Sequence, residues 1–552
     1  MKVRKLVALM CVLALMLFVV AAGCSSDNKV GDNANSQQAS STPAQEGSQG
    51  AASENKYEKK LTITTAAPGL VEGMDYNNVD EMSKFIQSKF NVDMKITPIG
   101  WDVFGEKNRV WINSGDMPDF TMWGFNFSDY KNYAEQGLIK ALPDDFDTKY
   151  PTLALVVKKT GVADPLRERF GGKLYMIPKI IFFHAPTSVP VPHDSLYYRK
   201  DWADKLGIKL GPIATQEEIL NMAREFKVKD PGGNGEGKTI GLGIGKLMLP
   251  IFFVAPFNPN AATFNADQQF VKVDGKYVWA PAQESTLEGL KLYKKAYDEG
   301  LIDKDFFAKQ DWAELDDFYV GKNGMIYICG TGACAQTYYD SFANANPGKD
   351  PVECIDLVAV GDGDKKFHSV QPGNFWTGSV FNPHLDDEKF DRILAMMDWS
   401  CTDEGQALIR MGFEGKDYTK DGDKITITRP KNDKGNFKGM RELYPSYDFW
   451  YMFVILGDDF SLRDPAINPK LLGRIKTLFK EKEANGVLIP RDYDMMFFSA
   501  PNYNKTKFKL QDEYAKIVVK GGDIEANWRA WVKEKEPQIN EVLKEINEKL
   551  AK

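Results

Sequence analysis

The stretch at residues 232–239 reads GGNGEGKT and satisfies the GxxxxGK[ST] spacing with which backbone N–H groups and a lysine cradle a phosphate chain. Such a loop works only where it leaves a buried strand and opens a helix whose N-terminus faces the phosphates. Here the preceding run EEILNMAREFKVKD has helical spacing and the following IGLGIG alternates with glycine, so a surface turn is expected and nucleotide binding is not. Hydrolytic signatures are missing too. Neither HExxH nor GxSxG occurs, and His184, His193, His368 and His384 show no metal-ligand spacing. Adjacent acids such as Asp316 with Asp317, or Asp458 with Asp459, exist, and a glycosidase needs only two properly separated carboxylates; nothing singles these out among 77 acids.

Recognition chemistry has more material, since all 11 tryptophans fall beyond residue 100. An aromatic face can cover the apolar C–H face of a pyranose while Asn, Asp and Arg bond the hydroxyls at its rim. Trp376 sits in PGNFWTG, a loop-like run in which a large ring is hard to bury. His193, Tyr197 and Arg199 follow the proline-rich Val189 to Pro192 at the start of a strand pattern, and are candidates for such a rim. Arg199 is equally placed to pair with Asp201 or Asp204. Trp450 lies in FWYMFVIL, which alone reads as core.

The elements that position these residues begin with an address. Lys2, Arg4 and Lys5 precede an apolar run from Leu6 to Ala22, the pattern of a secretory signal. The junction Ala21-Ala22-Gly23-Cys24 resembles a bacterial lipobox, with Ala21 where leucine is usual, so residues 1–23 are expected to leave and Cys24 to carry lipid into the bilayer. Residues 24–56 hold almost no large apolar side chain and read as a disordered tether. The net charge is −7, falling to about −10 once the signal goes, which argues against nucleic-acid binding. Losing Cys11 and Cys24 leaves Cys329, Cys334, Cys354 and Cys401, which allow three disulfide pairings or buried thiols.

In the folded part, Leu61 to Ala66 is β-rich, Asn78 to Phe90 carries a helical apolar face, and Val92 to Ile99 is again a strand; this βαβ unit predicts a parallel sheet. Helices follow near Val103 to Asn113 and Ser128 to Gln136, the latter closed by Gly137. The C-terminal run from Asn527 to Lys552 has helical spacing interrupted by Pro537.

Across this framework, the runs GDMPDFTMWGFN, YAEQGLIKALP, SLYYRKDWADKLGI, YDEGLIDKDF, FYVGKNGMIYI and DWSCTDEGQALIRMGFEGKDY occur in the order found in family 1 extracellular solute-binding proteins. The chain resembles that maltose-binding class, and more closely the large lipoproteins of Gram-positive sugar ABC importers, over residues 60 to 460. The resemblance implies an α/β fold of two lobes joined by crossing strands, with lobe 1 at 57–185 and 328–405 and lobe 2 at 186–327 and 406–552. It implies Trp123 and Asn126 as a lobe 1 ligand pair, Asn126 standing where the family has an acid, and Trp450 with Phe449 and Tyr451 as a stacking run. It also relates the 230s to a calcium loop of some relatives, with Asp230, Asn234 and the Glu236 backbone as ligands, although Gly232 and Lys238 occupy positions that need oxygen. The expected protein is a monomeric receptor on the extracellular face that closes on an oligosaccharide and meets an ABC permease. A lipid-anchored glycosidase and a peptide or adhesion receptor are the alternatives.

Overall fold

The computed structural model describes residues 56–550 apart from 71–73, 75, 77–79, 101–102, 124–126, 184–193, 264–265, 310–311, 371–372, 423, 433–436, 458–459, 490 and 507. The signal segment, Cys24 and the tether lie outside the described residues. Asn55–Lys552 forms one compact unit.

In chain order its strands are β1 (Leu61–Pro68), β2 (Val92–Ile99), β3 (Phe120–Trp123), β4 (Ile177–Ile180), β5 (Asp194–Arg199), β6 (Ile213–Thr215), β7 (Phe270–Val273), β8 (Lys276–Trp279), β9 (Met325–Cys329), β10 (Ile355–Gly361), β11 (Phe367–His368), β12 (Phe375–Phe381), β13 (Tyr418–Asp421), β14 (Lys424–Ile427) and β15 (Gly486–Val487). Two sheets dominate. The first has the order β2-β1-β3-β12-β4, and the second runs β15-β11-β10-β5-β9 with β6 beside β10. The expected βαβ unit is present: β1 and β2 pair in parallel from Leu61 opposite Val92 to Pro68 opposite Ile99. The helix between them, α1 (Glu81–Lys89), starts at Asp80, whose carboxylate accepts the Ser83 N–H at 2.8 Å.

Each sheet has its own apolar filling. Along β5, Leu196 and Tyr198 enter one cluster of the second sheet while Tyr197 enters another, as the two-residue period of a doubly covered strand requires. The first sheet packs on a cluster that also takes Leu408, Ile409, Met440, Phe449, Trp450 and Phe453. Asp80 binds this later segment too, accepting from Ser446 N at 2.7 Å and Ser446 Oγ at 2.9 Å.

These memberships correct the expected lobe boundaries. β9 and β10 belong to the second sheet, so the chain returns to the first sheet only at β12, and the segment up to about Ile455 stays there. Repetitive α/β alternation hides such a crossing, because a buried strand of either sheet has the same apolar composition. The C-terminal helix is a second correction: it runs unbroken from Ile524 to Leu550 with Pro537 inside it. Trp528, Trp531, Ile539, Val542 and Ile546 are buried on both sides of the proline, and packing of that length outweighs one missing N–H bond.

Candidate functional site

Strand directions bring two edges to attention. β1, β2 and β3 are parallel, and β12 runs antiparallel to β3 and β4, so the carboxyl ends of β1 to β4 share one edge with the start of β12. Trp376, second residue of β12, is half-buried there. It packs on Ala66, Ile99, Phe104 and Met122 and also on Ile181, Phe182 and Leu456. Ligands of open α/β sheets bind outside the carboxyl ends of strands, where the loops diverge and leave a crevice.

In the second sheet β5 is antiparallel to β9 and β10, with Asp194 opposite Cys329, so the start of β5 lies at the carboxyl end of β9. Beyond that end the chain turns through Gly330 and Thr331 into a helix, α2 (Gly332–Ala345). Thr331 caps the helix by accepting from Cys334 N, and a Cys329–Cys334 disulfide closes the same turn. The Gly332 N–H reaches Ser461 Oγ at 3.0 Å.

The two edges meet at a small cavity of about 10 Å3. Phe182 enters from the first sheet's exit, Thr331 and Ser461 from the second sheet's edge, and Leu478, Phe479 and Lys482 from α3 (Pro469–Asn485). This volume is about the room one water needs, so an oligosaccharide fits only if the two edges part. Lys482 is buried and donates to the Asp194 carbonyl and, at 2.9 Å, to Ser195 Oγ. Desolvation pulls its ammonium down to about 7, with the nearby Asp194 opposing. Among the described residues no cluster of three or more His, Cys, Asp or Glu is arranged to hold a metal ion.

The residues expected from sequence divide sharply. Trp123 ends β3 at the first edge, its backbone paired with Gly378. Asn126 and His193 lie outside the described residues. Tyr197 is not at a rim: its ring is fully buried and its hydroxyl donates to the Cys329 carbonyl at 2.8 Å. Arg199 is likewise structural, donating at 2.8 and 2.6 Å to Asp201, with its guanidinium 4.6 Å from the Trp202 ring and 5.2 Å from Phe342. Trp450 is only 2% exposed, packed edge-on against Phe449 and Phe453. Phe449, Trp450 and Phe453 to Leu456 are core, so the stacking role of Phe449 and Trp450 is withdrawn, while Tyr451 is only partly buried and lies 4.3 Å from the Arg410 guanidinium. Trp376 lies in a strand rather than a loop, yet keeps its place at the edge. Of the acid pairs, Asp317 is held by Lys309 at 2.7 Å and Lys322 at 2.6 Å, and Asp458 with Asp459 lie outside the described residues.

The 230s form the expected surface turn after helix α4 (Gln216–Lys229). Asp230 accepts from Asn234 N at 3.0 Å, Gly235 N at 2.8 Å and Thr239 Oγ1 at 2.5 Å, and the Thr239 bond leads the causes that lower its pKa. The Asn234 amide is spent on Thr239 and the Gly321 carbonyl, and Glu236 is exposed. A calcium loop needs about six to eight oxygens, and beside the Asp230 carboxylate and the Asn234 Oδ1 this turn places Gly232 and Lys238 where further ligands belong. This donor set therefore does not fit calcium.

One residue was missed. Trp312 is 43% exposed and has φ +73°, a conformation strained for a bulky side chain. It stands at the start of α5 (Ala313–Tyr319), and Tyr319 at the other end accepts from Asn346, which closes α2. α2 begins at the carboxyl end of β9 and ends at the opposite side, where Tyr319 meets it, so the start of α5, with Trp312, is directed toward the carboxyl edge. The run QDWAELDDF has ordinary helical spacing, and its one backbone irregularity leaves no mark in residue type.

Residues 67–406 match the family described as bacterial extracellular solute-binding protein. Lipoprotein LipO of Bacillus subtilis is 28% identical over 242 residues, 43% of this chain and 46% of LipO. The fructooligosaccharide ABC transporter substrate-binding protein FusA of Streptococcus pneumoniae is 29% identical over 220 residues, 38% of this chain and 39% of FusA. Each match thus spans less than half of the relative. Among solved structures, alginate-binding protein AlgQ2 without calcium ion superposes with TM-score 0.62 at 17% identity, covering 88% of this chain and 97% of that one. FusA in complex with kestose gives TM-score 0.60 at 20% identity, covering 88% and 98%. At these identities the structures establish the two-lobed α/β substrate-binding fold.

Proposed function

The chain belongs to the bacterial extracellular solute-binding proteins, and from that membership we propose that it is the lipid-anchored, sugar-binding receptor of an ABC importer. The observation that carries this reading is that the carboxyl edge of the first sheet, where Trp376 packs on the cluster of Phe182, and the carboxyl end of β9 at Gly330–Thr331 border one small cavity, with the exposed ring of Trp312 on the second half of the molecule. Two aromatic faces and a few polar groups suit an oligosaccharide, which has both C–H faces and hydroxyls. The names of FusA and LipO support a sugar importer and a lipoprotein respectively.

The mechanism is closure. Segments leaving β4, preceding β12 and following α3 cross between the sheets, and a solute held at both edges favours the closed arrangement by the contacts it makes only there. The closed receptor then meets the permease. Lipid on Cys24 and a tether of about 30 residues keep it near the transporter, raising the effective concentration of that encounter. None of these steps requires a nucleophile, so the solute leaves unchanged.

A glycan array probed with the purified mature protein tests the reading. Saturable binding to a set of oligosaccharides without release of reducing ends is expected; turnover would favour a glycosidase, and silence across the array would remove the sugar reading altogether.

A further inference from the structure

The glycine-alternating run IGLGIG at 240–245 keeps Gly241, Gly243 and Gly245 out of the left-handed region, so room rather than conformation calls for glycine there. A Cβ on Gly241 would overlap the Ala223 carbonyl of α4, which pins the run to that helix. A Cβ on Gly243 would overlap the Asn323 amide, and one on Gly245 would lie 2.5 Å from Glu314 Oε1. The run also follows β9 in parallel, the Ile240 N–H donating to the Lys322 carbonyl at 3.0 Å and the Gly243 N–H to the Met325 carbonyl at 2.8 Å. Asn323 and Glu314 thus reach into a socket that the glycines leave open.

Asn323 is 1% exposed, and its Nδ2 donates to the Glu314 carbonyl at 3.0 Å. The backbone N–H groups of Lys322 and Asn323 donate to the Asp317 carbonyl at 2.8 and 3.2 Å. One short segment therefore holds α5 at its first turn and further along, and Trp312, next to Ala313, takes its direction from that grip. Two costs gather at the same place: Asn323 Oδ1 is enclosed without a donor, and Trp312 holds φ +73°. Such costs persist only where the surroundings over-determine them, and they cluster at functional sites. We propose that Asn323, seated against Gly243, is a positioning residue for solute binding, holding the first turn of α5 so that the exposed Trp312 ring stands ready before the solute arrives. A solute then spends no binding energy on ordering that ring. This proposal rests on the sugar-receptor reading, in which Trp312 supplies one aromatic face.

The test is a double-mutant cycle of Asn323→Asp with Trp312→Ala, titrated with the tightest-binding oligosaccharide of the glycan array. Asn323→Asp keeps the size of the side chain but turns an acceptor toward the Glu314 carbonyl. It should lower affinity about fivefold where Trp312 is present and leave affinity unchanged in the Trp312→Ala background. A second readout needs no sugar: acrylamide quenching of Trp312, taken as the difference between each protein and its Trp312→Phe counterpart, should rise in Asn323→Asp. Equal losses of affinity in both backgrounds, or unchanged quenching, would overturn the positioning role and leave the receptor reading standing, as would a Trp312→Ala protein that binds like wild type. If Asn323→Asp does not fold, Gly245→Ala decides, because its added Cβ meets the end of the Glu314 side chain and no backbone. Absence of any binding by wild type overturns the receptor reading and the proposal together.

Discussion

Phe182 and Phe479 meet with ring centroids 5.5 Å apart and planes inclined by 54°. The first belongs to the segment leaving β4 and the second to α3, which packs on the second sheet, so this one contact couples the two halves beside the cavity. Such pairs contribute about 0.5–1.5 kcal/mol beyond their buried area. Phe182→Ala, Phe479→Ala and the double variant, unfolded in urea, should show a coupling energy of that size. Strictly additive losses would mean that the rings merely share a neighbourhood.

Trp450 and Trp376 should part company on truncation. With Trp450 only 2% exposed, Trp450→Ala should lower stability by about 3–5 kcal/mol while leaving the affinity of the remaining folded protein unchanged. Trp376→Ala should do the reverse in emphasis, weakening glycan binding with a smaller loss of stability, because its ring is only partly buried. Urea melts and titration of the same preparations separate the two.

Trp312→Gly isolates strain from binding. Glycine adopts φ +73° at no steric cost, so relief of the backbone should offset much of the extra freedom glycine gives the unfolded chain, and stability should stay within about 1 kcal/mol of wild type or rise. Glycan affinity should nonetheless fall, since the exposed ring is gone. A fall in stability with unchanged affinity would make Trp312 a packing residue.

The contrast among these tryptophans shows where sequence reading succeeds. The βαβ start, α1 and the parallel pairing of β1 with β2 were legible because local periodicity decides them, while the Asp80 cap emerged only with the structure. Tyr197 and Arg199 were placed in the right strand but on the wrong side of the question. Whether a polar side chain on a strand faces a partner or a cleft depends on what the other sheet puts opposite, here the Cys329 carbonyl and Asp201. Trp312 escaped for the opposite reason. Its exposure arises from chain crossings, and residue type does not record it.

The disulfide makes a chemical prediction. Cys329 and Cys334 are five residues apart, and closing so short a loop is worth about 2 kcal/mol by the chain-entropy relation. Reduction, or serine at both positions, should lower the unfolding free energy by about that amount and loosen the Gly330–Thr331 turn that lines the cavity. Cys354 and Cys401 are buried thiols and should resist labelling until the protein is unfolded. Peptide mapping checks the pairing directly, as the fragment holding Cys329 and Cys334 should weigh two hydrogens less than its reduced form.

Lys179 gives the pH dependence its sign. Its Nζ is buried and donates to the carbonyls of Met452 and Phe453, tying β4 to the segment that follows Trp450. Desolvation pulls the ammonium down to about 7, while in the unfolded chain it keeps a value near 10.4. A lowered lysine pKa means that the folded state pays for the proton. Below 7 both states are protonated and the full cost of the buried charge is present. Between the two values the unfolded chain binds the extra proton, so this group makes stability rise with pH through that window. Lys179→Met removes the contribution. Wild type should gain on the variant by about 1 kcal/mol per pH unit from roughly pH 7.5 to 9.5, read from urea midpoints at matched ionic strength. Parallel curves would show that the charge of Lys179 is not suppressed on folding, and that its two carbonyl bonds fully compensate its burial.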